Sequence, residues 1–535
     1  MRNLFNKTRR SFFLSKIFRN IFYLFIIFTS LPLYTYAQWI DAYIPDFKVN
    51  DDNLNSYQTN SQIGVDSAGN FVIVWYDVRA YPGNQYPPRI YCQRYNKDGL
   101  LLGNNFIIGQ DTSYSPRITM LSDGRFIALW GHSFIMSIQN YELYFQRFDN
   151  NGIALDVPKR VIDTSFVAAT NLLAGIDISS DSTGNFIICW CLKPNINSSP
   201  FVYFQRYDSS GSRIDTVQTV NENFGYVQYP SIASNKDGSF VIVWQDDRHP
   251  TVTAYDIFMQ RYNTNGIKIG NNVKVNDDTT LQLFRGGAKV STNGYGQAVV
   301  IWTDPRICNS GEVYYQIYDS ISIPIGTNRK ANNSPCGSGA GGSAVFMRDD
   351  KKFFIYWTDL NLSGREQSYG RRFDALGVPI GNQFMIPQTS PPPTNQRADG
   401  MKIMGDRVYC TWTHFEQSSN NTDIYCNVRG FQNPDTVIGI VNQTGIAGEF
   451  KLFPAYPNPF NASSKIKYQL SKLNHITIIV YDITGKVVEK LINRIQQAGE
   501  YEMIWQAENY SSGIYFIEMK TEGGYRHTQK LMLLK

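Results

Sequence analysis

Three histidines follow tryptophan closely along the chain, at His132, His249 and His414. Histidine nitrogen is a common metal ligand, but ligands must lie within about 2 Å of one ion. The three side chains belong to different copies of the repeat described below, which distributes them around a ring. We therefore expect no metal site and no cofactor, and we regard the histidines as candidate ligand-binding residues.

Signatures of catalysis are absent from the sequence. It has no metalloprotease helix motif, no phosphate-binding loop and no nucleophile elbow. A glycosidase needs two carboxylates that face each other. Asp and Glu residues in different repeats cannot be paired from the sequence, so a glycosidase site stays an alternative. Asp and Arg also recur after tryptophan, as in Asp77-Val-Arg79 and Asp304-Pro-Arg306. The pairs either fasten the loop by a charge-assisted hydrogen bond, which we favour, or form a ring of ligand-binding arginines.

Seven cysteines offer two disulfide candidates, Cys308–Cys336 and Cys410–Cys426. Export through an oxidising compartment permits disulfides, and an odd number leaves at least one thiol free. The alternative for all seven is a buried free thiol that packs as a small hydrophobic group.

The elements that position these residues are repeats centred on tryptophan. Each repeat has a turn, the phrase Phe-x-x-x-Trp or a variant of it, a loop, and a strand ending near Gln-Arg-aromatic. The tryptophans are Trp75, Trp130, Trp190, Trp244, Trp302, Trp357 and Trp412. Apolar runs such as Phe240–Trp244, with Asp-Gly or Asn-Gly turns between strands, predict four antiparallel strands per repeat. The fold class is therefore all-β, with a seven-bladed β-propeller over residues 38–435.

Ring closure has its own signal. Phe47-Lys-Val-Asn50 precedes the first repeat and resembles Val273-Lys-Val-Asn276, a fourth strand. We expect this orphan strand to complete the last blade and cover its edge. An eight-bladed ring or an open array is the alternative.

The loops after tryptophan are long and share one face of a propeller with the connections between blades. We call this face the post-Trp face, and it is the expected binding surface because variable loops on a rigid scaffold carry function. Its aromatic candidates are Tyr81, Tyr86, Phe134 and Phe415. The alternative is that these rings only pack their own loops.

Residues 1–37 predict a secretory signal peptide, with a basic stretch through Arg19, the apolar run Ile21–Leu33 and a small residue at Ala37. The expected partner is the Sec export machinery. The whole chain has 50 Lys and Arg against 45 Asp and Glu. Six of the basic residues lie in the signal segment, so the mature chain is near neutral and has no electrostatic footprint for nucleic acid.

After a linker at residues 436–453 the tryptophan repeat stops, and short strands predict a small immunoglobulin-like β-sandwich over residues 454–535. Its motif residues are Pro457, Asn458, Pro459, Phe460, Asp482, Gly485, Gly499, Trp505, Gly513, Tyr515 and Lys530. This segment resembles the type A C-terminal sorting domain of the type IX secretion system, found in the Bacteroidetes and relatives. The resemblance implies passage from the periplasm across the outer membrane by the type IX machinery, to the cell surface or the medium.

The sequence favours a surface or extracellular protein whose propeller binds a glycan, a polymer or a surface protein without catalysis. One alternative is a secreted polysaccharide hydrolase or lyase with a site at the propeller axis. Another is a structural component of a surface layer.

Overall fold

The structure is a computed structural model that describes residues 42–535 except 53–55, 80–87, 110–111, 134–140, 163–174, 194–197, 223–224, 249–254, 278–284, 308–310, 335–339, 361–363, 388–393, 417–420, 432–438, 441–449, 472–473, 497–498, 508 and 522–523. The described residues form β-strands and turns and contain no helix. Among them there is accordingly no helical segment long and apolar enough to cross a membrane. The predicted signal peptide lies outside the described residues.

Seven four-stranded antiparallel sheets occupy the chain from Ala42 to Gly430. The first sheet has β2 (Gln58–Val65), β3 (Phe71–Asp77), β4 (Arg89–Tyr95) and β5 (Phe106–Ile108). The second has β6 (Ser113–Met120), β7 (Phe126–Ser133), β8 (Tyr141–Phe148) and β9 (Lys159–Arg160). The third has β10 (Ile176–Ser180), β11 (Phe186–Leu192), β12 (Phe201–Tyr207) and β13 (Gln218–Thr219).

The remaining four sheets repeat this order. The fourth has β14 (Tyr226–Ser234), β15 (Phe240–Asp247), β16 (Asp256–Tyr262) and β17 (Lys268–Lys274). The fifth has β18 (Gly286–Thr292), β19 (Ala298–Asp304), β20 (Glu312–Tyr318) and β21 (Pro324–Lys330). The sixth has β22 (Gly341–Met347), β23 (Phe353–Leu360), β24 (Glu366–Phe373) and β25 (Pro379–Met385). The seventh has β26 (Gln396–Met404), β27 (Arg407–Phe415), β28 (Thr422–Gly430) and, as its outer strand, β1 (Ala42–Lys48).

The sheets form a closed ring. The first strand of each sheet contacts the first strand of the next, and β26 of the seventh sheet contacts β2 of the first. Seven hydrophobic cores fill the spaces between neighbours, including one between the seventh and first sheets. Sheets that stack face to face around a common axis make this part of the chain a β-propeller.

The tryptophan phrase is explained by packing within each sheet. Each tryptophan lies on the second strand, is at most 2% exposed, and faces an aromatic residue on the third strand. Trp75 stacks on Tyr91 with ring centroids 6.0 Å apart, and Trp412 on Tyr425 at 5.9 Å. The phenylalanine four residues before the tryptophan stacks on the aromatic of the Gln-Arg phrase, as Phe71 does on Tyr95 at 4.8 Å.

The seventh sheet is completed from the start of the described chain, because β1 pairs antiparallel with β28. Just after β1, the Asn50 side chain accepts a hydrogen bond from the Ile424 backbone N–H at 2.9 Å. Asn276, at the end of the fourth sheet, accepts the same bond from Ile257 at 2.9 Å. The likeness between the two segments therefore has a structural cause: each asparagine satisfies a buried backbone donor where its sheet ends.

The C-terminal segment folds into two further four-stranded sheets. One has β29 (Gly439–Ile440), β34 (Gly499–Gln506), β31 (Ser463–Leu470) and β30 (Lys451–Leu452). The other has β33 (Val487–Gln496), β32 (Asn474–Asp482), β35 (Gly513–Thr521) and β36 (Arg526–Leu533). Both contribute to one core, which includes Tyr468, Ile478, Trp505 and Ile517.

Candidate functional site

The post-Trp face carries the ends of the second strands and the connections between sheets. The connection into the second sheet touches the loop after the first tryptophan, where Ser113 N–H donates to the Pro88 carbonyl at 3.0 Å. The opposite face carries tight turns such as Asp66–Asn70, in which the Asp66 carboxylate accepts from the backbone of Ala68 and Asn70.

The Asp-Arg pairs fasten the post-Trp loops. Trp75 Nε1 donates to Asp77 at 2.8 Å, and Arg79 reaches the same carboxylate at 2.9 Å through Nε. The Arg79 guanidinium lies 4.0 Å from the centre of the Tyr91 ring. Asp304 and Arg306 repeat the arrangement, with Arg306 Nη2 at 2.6 Å from the carboxylate. Because these arginines are held by neighbours within their own sheet, they do not form a ring of free ligand-binding groups.

His132 and His414 occupy the repeat position two residues after tryptophan, where four other sheets have aspartate. His132 is 5% exposed, and its ring lies 5.9 Å from that of Tyr144. His414 is half-buried, and its ring lies 5.2 Å from that of Tyr425. The same position therefore holds a core histidine in the second sheet and a partly accessible one in the seventh.

His414 has the surroundings of a proton-transfer group. Its Nδ1 lies 3.4 Å from Gln396 Nε2, a contact that leaves the other ring nitrogen, Nε2, for a ligand in the proposal made below. Burial lowers the pKa of His414, although the charges of Asp423 and Glu416 oppose the shift. The shift favours the neutral imidazole, the form in which histidine accepts a proton.

Arg397 lies next to Gln396 on β26 and brings a positive charge to this corner. Its Nη2 donates to Thr59 Oγ1 on the first sheet at 2.8 Å. Its guanidinium carbon is 5.4 Å from the centre of the Phe415 ring, and Phe415 is half-buried. Phe415 therefore lies beside an arginine that the sequence did not single out, on the face of the seventh sheet turned toward the first sheet. His414 lies on the opposite face of the same sheet, with Gln396.

The other predicted ligand-binding residues are not brought into this corner. His132 belongs to the second sheet, while Tyr81, Tyr86, Phe134 and His249 lie outside the described residues. Cys308 and Cys336 also lie outside them, so that disulfide remains a prediction. In the described part of the chain, no group of three or more His, Cys, Asp or Glu side chains is placed to hold a metal ion.

The predicted Cys410–Cys426 disulfide is wrong, because both residues are buried free thiols. In the pairing of β27 with β28, Cys410 lies opposite Asn427 and Cys426 lies opposite Thr411. Side chains alternate across a strand, so the two thiols point to opposite faces of the sheet. Cys426 packs between the seventh and first sheets, and Cys410 between the sixth and seventh.

A channel of about 1040 Å³ runs along the axis of the ring, lined by the first strands of all seven sheets. Its lining contains six basic residues against four acidic ones, a net charge of +2. The basic residues are Arg117, Lys236, Lys289, Arg348, Arg397 and Lys402, and the acidic ones are Asp177, Asp349, Asp350 and Asp399. This axial channel attracts anionic groups.

Three charged residues inside the channel lie at the same height along its axis, as judged from strand register. Arg117, Asp177 and Lys289 each lie opposite the residue that precedes the tryptophan of their sheet. Arg117 Nε is 4.0 Å from Asp177, whose carboxylate also accepts from Ser231 Oγ at 2.9 Å. Burial and the charge of Arg117 lower the pKa of Lys289, while burial lowers that of Lys402.

Asp399 is a second half-buried carboxylate in the channel lining. It accepts hydrogen bonds from Ser61 Oγ at 2.8 Å and from Thr413 Oγ1 at 2.7 Å. Burial raises its pKa despite these bonds. Asp177 and Asp399 belong to the third and seventh sheets, and each accepts hydrogen bonds from partners of its own.

The sorting-motif residues hold the end of the chain in the C-terminal domain. Asn458 bridges to the last strand, donating to the Lys530 carbonyl at 2.8 Å and accepting from Met532 N–H at 2.9 Å. Phe460 is 3% exposed and packs on Trp505 with centroids 5.5 Å apart. Tyr515 packs on the same indole at 5.3 Å.

The remaining motif residues start strands or form turns. Asp482 accepts from the backbone of Thr484 and Lys486, and Gly485 in that turn has a φ of 83°. Gly499 and Gly513 are the first residues of β34 and β35. Pro457 and Pro459 flank Asn458 in the segment that the last strand holds.

A family model described as a secretion system C-terminal sorting domain matches residues 454–534. The chain therefore carries a type IX secretion sorting domain, which engages the type IX machinery and brings the protein to the cell surface or the extracellular space. This agrees with the resemblance found in the sequence.

An endo-acting ulvan lyase of Formosa agariphila is 22% identical over 278 residues, covering 44% of this chain and 49% of that relative. The chain thus spans about half the length of the curated relative it matches. Among solved structures, the polysaccharide lyase Uly1 is 10% identical with a TM-score of 0.46, covering 72% of this chain and 92% of that one. An ulvan lyase of polysaccharide lyase family PL25 is 9% identical with a TM-score of 0.46, covering 74% and 97%. A protein of unknown function from Dyadobacter fermentans is 10% identical with a TM-score of 0.42, covering 74% and 99%.

Proposed function

We propose that the chain is an exported enzyme that degrades an acidic polysaccharide by β-elimination. In this proposal its site lies where the axial channel of a seven-bladed β-propeller opens on the post-Trp face, and an immunoglobulin-like C-terminal sandwich directs export. The similarity to an ulvan lyase supports a polysaccharide substrate. It covers 44% of the 535 residues, about 235 positions, which is far more than the 454–534 sorting segment. The similarity to an ulvan lyase supports the hydrolase-or-lyase alternative more than the non-catalytic binding expected from the sequence.

The observations that carry the proposal are a half-buried His414 at the post-Trp end of β27 and Arg397 in the wall of the axial channel, on neighbouring strands of the seventh sheet. β-Elimination next to a carboxylate needs a base for the carbon-bound proton and a cation for the charge that develops on the carboxylate. His414 Nε2 takes the proton from the carbon beside the carboxylate. That electron pair forms a carbon–carbon double bond as the glycosidic carbon–oxygen bond breaks, and the leaving oxygen takes a proton from solvent or from the imidazolium.

The charge of the axial channel supports an acidic substrate. A net charge of +2 in the channel lining favours an anionic group, and Arg397 is the cation that lies closest in the chain to the Gln396–His414 pair. Hydrolysis by two carboxylates is less favoured, since Asp177 and Asp399 are each occupied by hydrogen-bond donors of their own.

The test is turnover of ulvan by the full chain without residues 1–37, followed by the ultraviolet absorbance of the unsaturated product. His414→Asn is expected to lower kcat about 10²- to 10⁴-fold, the usual contribution of a general base. His132→Asn is the matched control, because it changes the same repeat position in another sheet, and it should retain activity. Arg397→Lys should raise KM, because it loses the bidentate hold on a carboxylate.

Two results would overturn the proposal. In one, wild-type protein forms no unsaturated product from ulvan or from alginate, a second uronic acid polymer. In the other, His414→Asn degrades either polymer at the wild-type rate. Release of saturated reducing ends by wild-type protein would support the hydrolase alternative instead.

A further inference from the structure

Three tyrosines gather where the fourth sheet meets the post-Trp face: Tyr226, Tyr229 and Tyr255, here called the tyrosine patch. The rings of Tyr226 and Tyr255 lie edge to face with centroids 6.5 Å apart. Lys193, which follows the second strand of the third sheet, places its Nζ 5.3 Å from the centre of the Tyr226 ring. Burial, then Cys191 and then Tyr229 raise the pKa of Tyr226, which places the Tyr229 hydroxyl near that of Tyr226.

Tyr229 stands out by its backbone. It has a φ of 52°, in the left-handed region that bulky side chains avoid. It lies two residues before Ser231, at the irregularity where β14 shifts register against β15. The equivalent positions in the first, second and fifth sheets, at the same register shift, are Asn60, Ser115 and Gly287, with φ of 55°, 51° and 64°.

Where this bulge takes a left-handed residue in the first, second and fifth sheets, that residue is of a type that tolerates the conformation or is small. A tyrosine in this conformation has a higher conformational energy than asparagine or glycine. Burial of the ring does not offset that energy, because Tyr229 is 51% exposed. Its backbone lies close to the third sheet: a Cβ added at Gly175, the residue before β10, would lie 2.8 Å from the Tyr229 Cα. A residue that breaks a local rule without a gain in packing indicates a functional position.

The position of Tyr229 is near the axis. Asn60, its equivalent in the first sheet, lines the axial channel. The bulge re-aims the side chain at the end of the strand where the channel meets the post-Trp face. The patch therefore presents one exposed aromatic ring, two further phenol groups and one ammonium group on the fourth sheet, with the exposed ring at the strand position that lines the channel in the first sheet.

We propose that the tyrosine patch is a saccharide subsite, in which Tyr229 stacks on the apolar face of one sugar ring of the polysaccharide. Tyr226 and Tyr255 border that ring, and Lys193 attracts an acidic substituent on it. An aromatic ring with a polar tip suits a sugar, which has an apolar face and a hydroxylated edge. This inference deepens the proposed function by assigning a second contact on the fourth sheet, away from His414 on the seventh.

The test is affinity electrophoresis of the chain without residues 1–37 in native gels containing ulvan, alginate or laminarin. Tyr229→Asn installs the residue of the equivalent first-sheet position and removes the exposed ring. It should weaken retention about three- to tenfold, the usual effect of one aromatic contact. Its unfolding temperature should equal or exceed that of wild type, because asparagine tolerates the left-handed conformation better. Tyr295→Ser is the matched control, since Tyr295 is 72% exposed in a turn on the opposite face, and it should leave retention unchanged.

The outcomes separate this subsite from the proposed reaction. Retention lost in Tyr229→Asn but kept in His414→Asn supports the subsite, whether or not any polymer is degraded. Loss of retention without any turnover by wild type would leave the subsite standing and remove the enzymatic proposal. Equal retention of wild type and Tyr229→Asn would overturn the subsite, and so would the absence of wild-type retention in all three gels.

Discussion

Replacing Asn50 by alanine tests how the ring is closed. The Asn50 side chain accepts from the Ile424 backbone N–H at 2.9 Å and donates to Asp423 at 2.8 Å and to Asp52 at 2.6 Å. Asn50 is 3% exposed, so alanine leaves a buried backbone donor without its partner. An unsatisfied buried group costs about 1–3 kcal/mol, and a lost hydrogen bond to a charged acceptor a further ~1.5 kcal/mol. With some replacement by water, we expect Asn50→Ala to lower the free energy of unfolding by about 2–4 kcal/mol.

The assay is urea unfolding followed by tryptophan fluorescence, together with limited proteolysis. Asn276→Ala is the matched control, because Asn276 makes the same bonds to Ile257 at 2.9 Å and to Asp256 at 2.8 Å. Both variants should lose similar stability, but only Asn50→Ala should expose the β1 segment to cleavage, since β1 is far in the chain from the other strands of its sheet and is held to them by non-covalent contacts. A loss below about 0.5 kcal/mol with unchanged proteolysis would refute the closure by β1, because that is the scatter of ordinary surface substitutions.

Two further predictions concern a loop and the tail. Burial raises the pKa of Asp304, but hydrogen bonds from Arg306 and Trp302 outweigh it and hold the pKa below 3.8. A carboxylate whose pKa is lower in the folded than in the unfolded protein stabilises the fold above the unfolded-state pKa, and this stability is lost as the pH falls through the folded-state pKa. The destabilisation caused by Asp304→Asn should therefore be full at about pH 6 and should shrink below about pH 4. A difference in urea midpoints that does not change with pH would contradict this. A chain ending at residue 450 should fold its propeller but accumulate in the periplasm of a host with type IX secretion. Cell fractionation and blotting would measure this. Release of the shortened chain to the medium would show that the 454–534 domain is dispensable for export.

Much of the propeller could be predicted from the sequence, because each repeat uses the same packing. Trp75 and Phe71 fill equivalent spaces to Trp244 and Phe240, and a buried indole at a fixed spacing leaves a signal that survives divergence elsewhere. Asn50 could likewise be recognised by its likeness to Asn276, because a buried backbone donor requires the same side chain in both places. The sorting domain was recognisable because its motif residues tie the last strand to the rest of the domain.

The candidate site was harder to predict, because its residues come from different repeats and gain meaning only through register. Arg117, Asp177 and Lys289 lie at one level of the axial channel only after each strand is aligned on its tryptophan. Tyr229 carries information through its φ, which composition does not reveal. The Cys410–Cys426 prediction failed for the same reason: closeness along a hairpin does not determine which face of the sheet each side chain occupies.

The measurement that tests the central claim most directly is a crystal structure of the His414→Asn variant soaked with an ulvan oligosaccharide. Our account predicts a saccharide at the post-Trp mouth of the axial channel, with its acidic group against Arg397 and a sugar ring against Tyr229. A saccharide bound only on the face that carries the tight turns, or only on the C-terminal domain, would contradict the account.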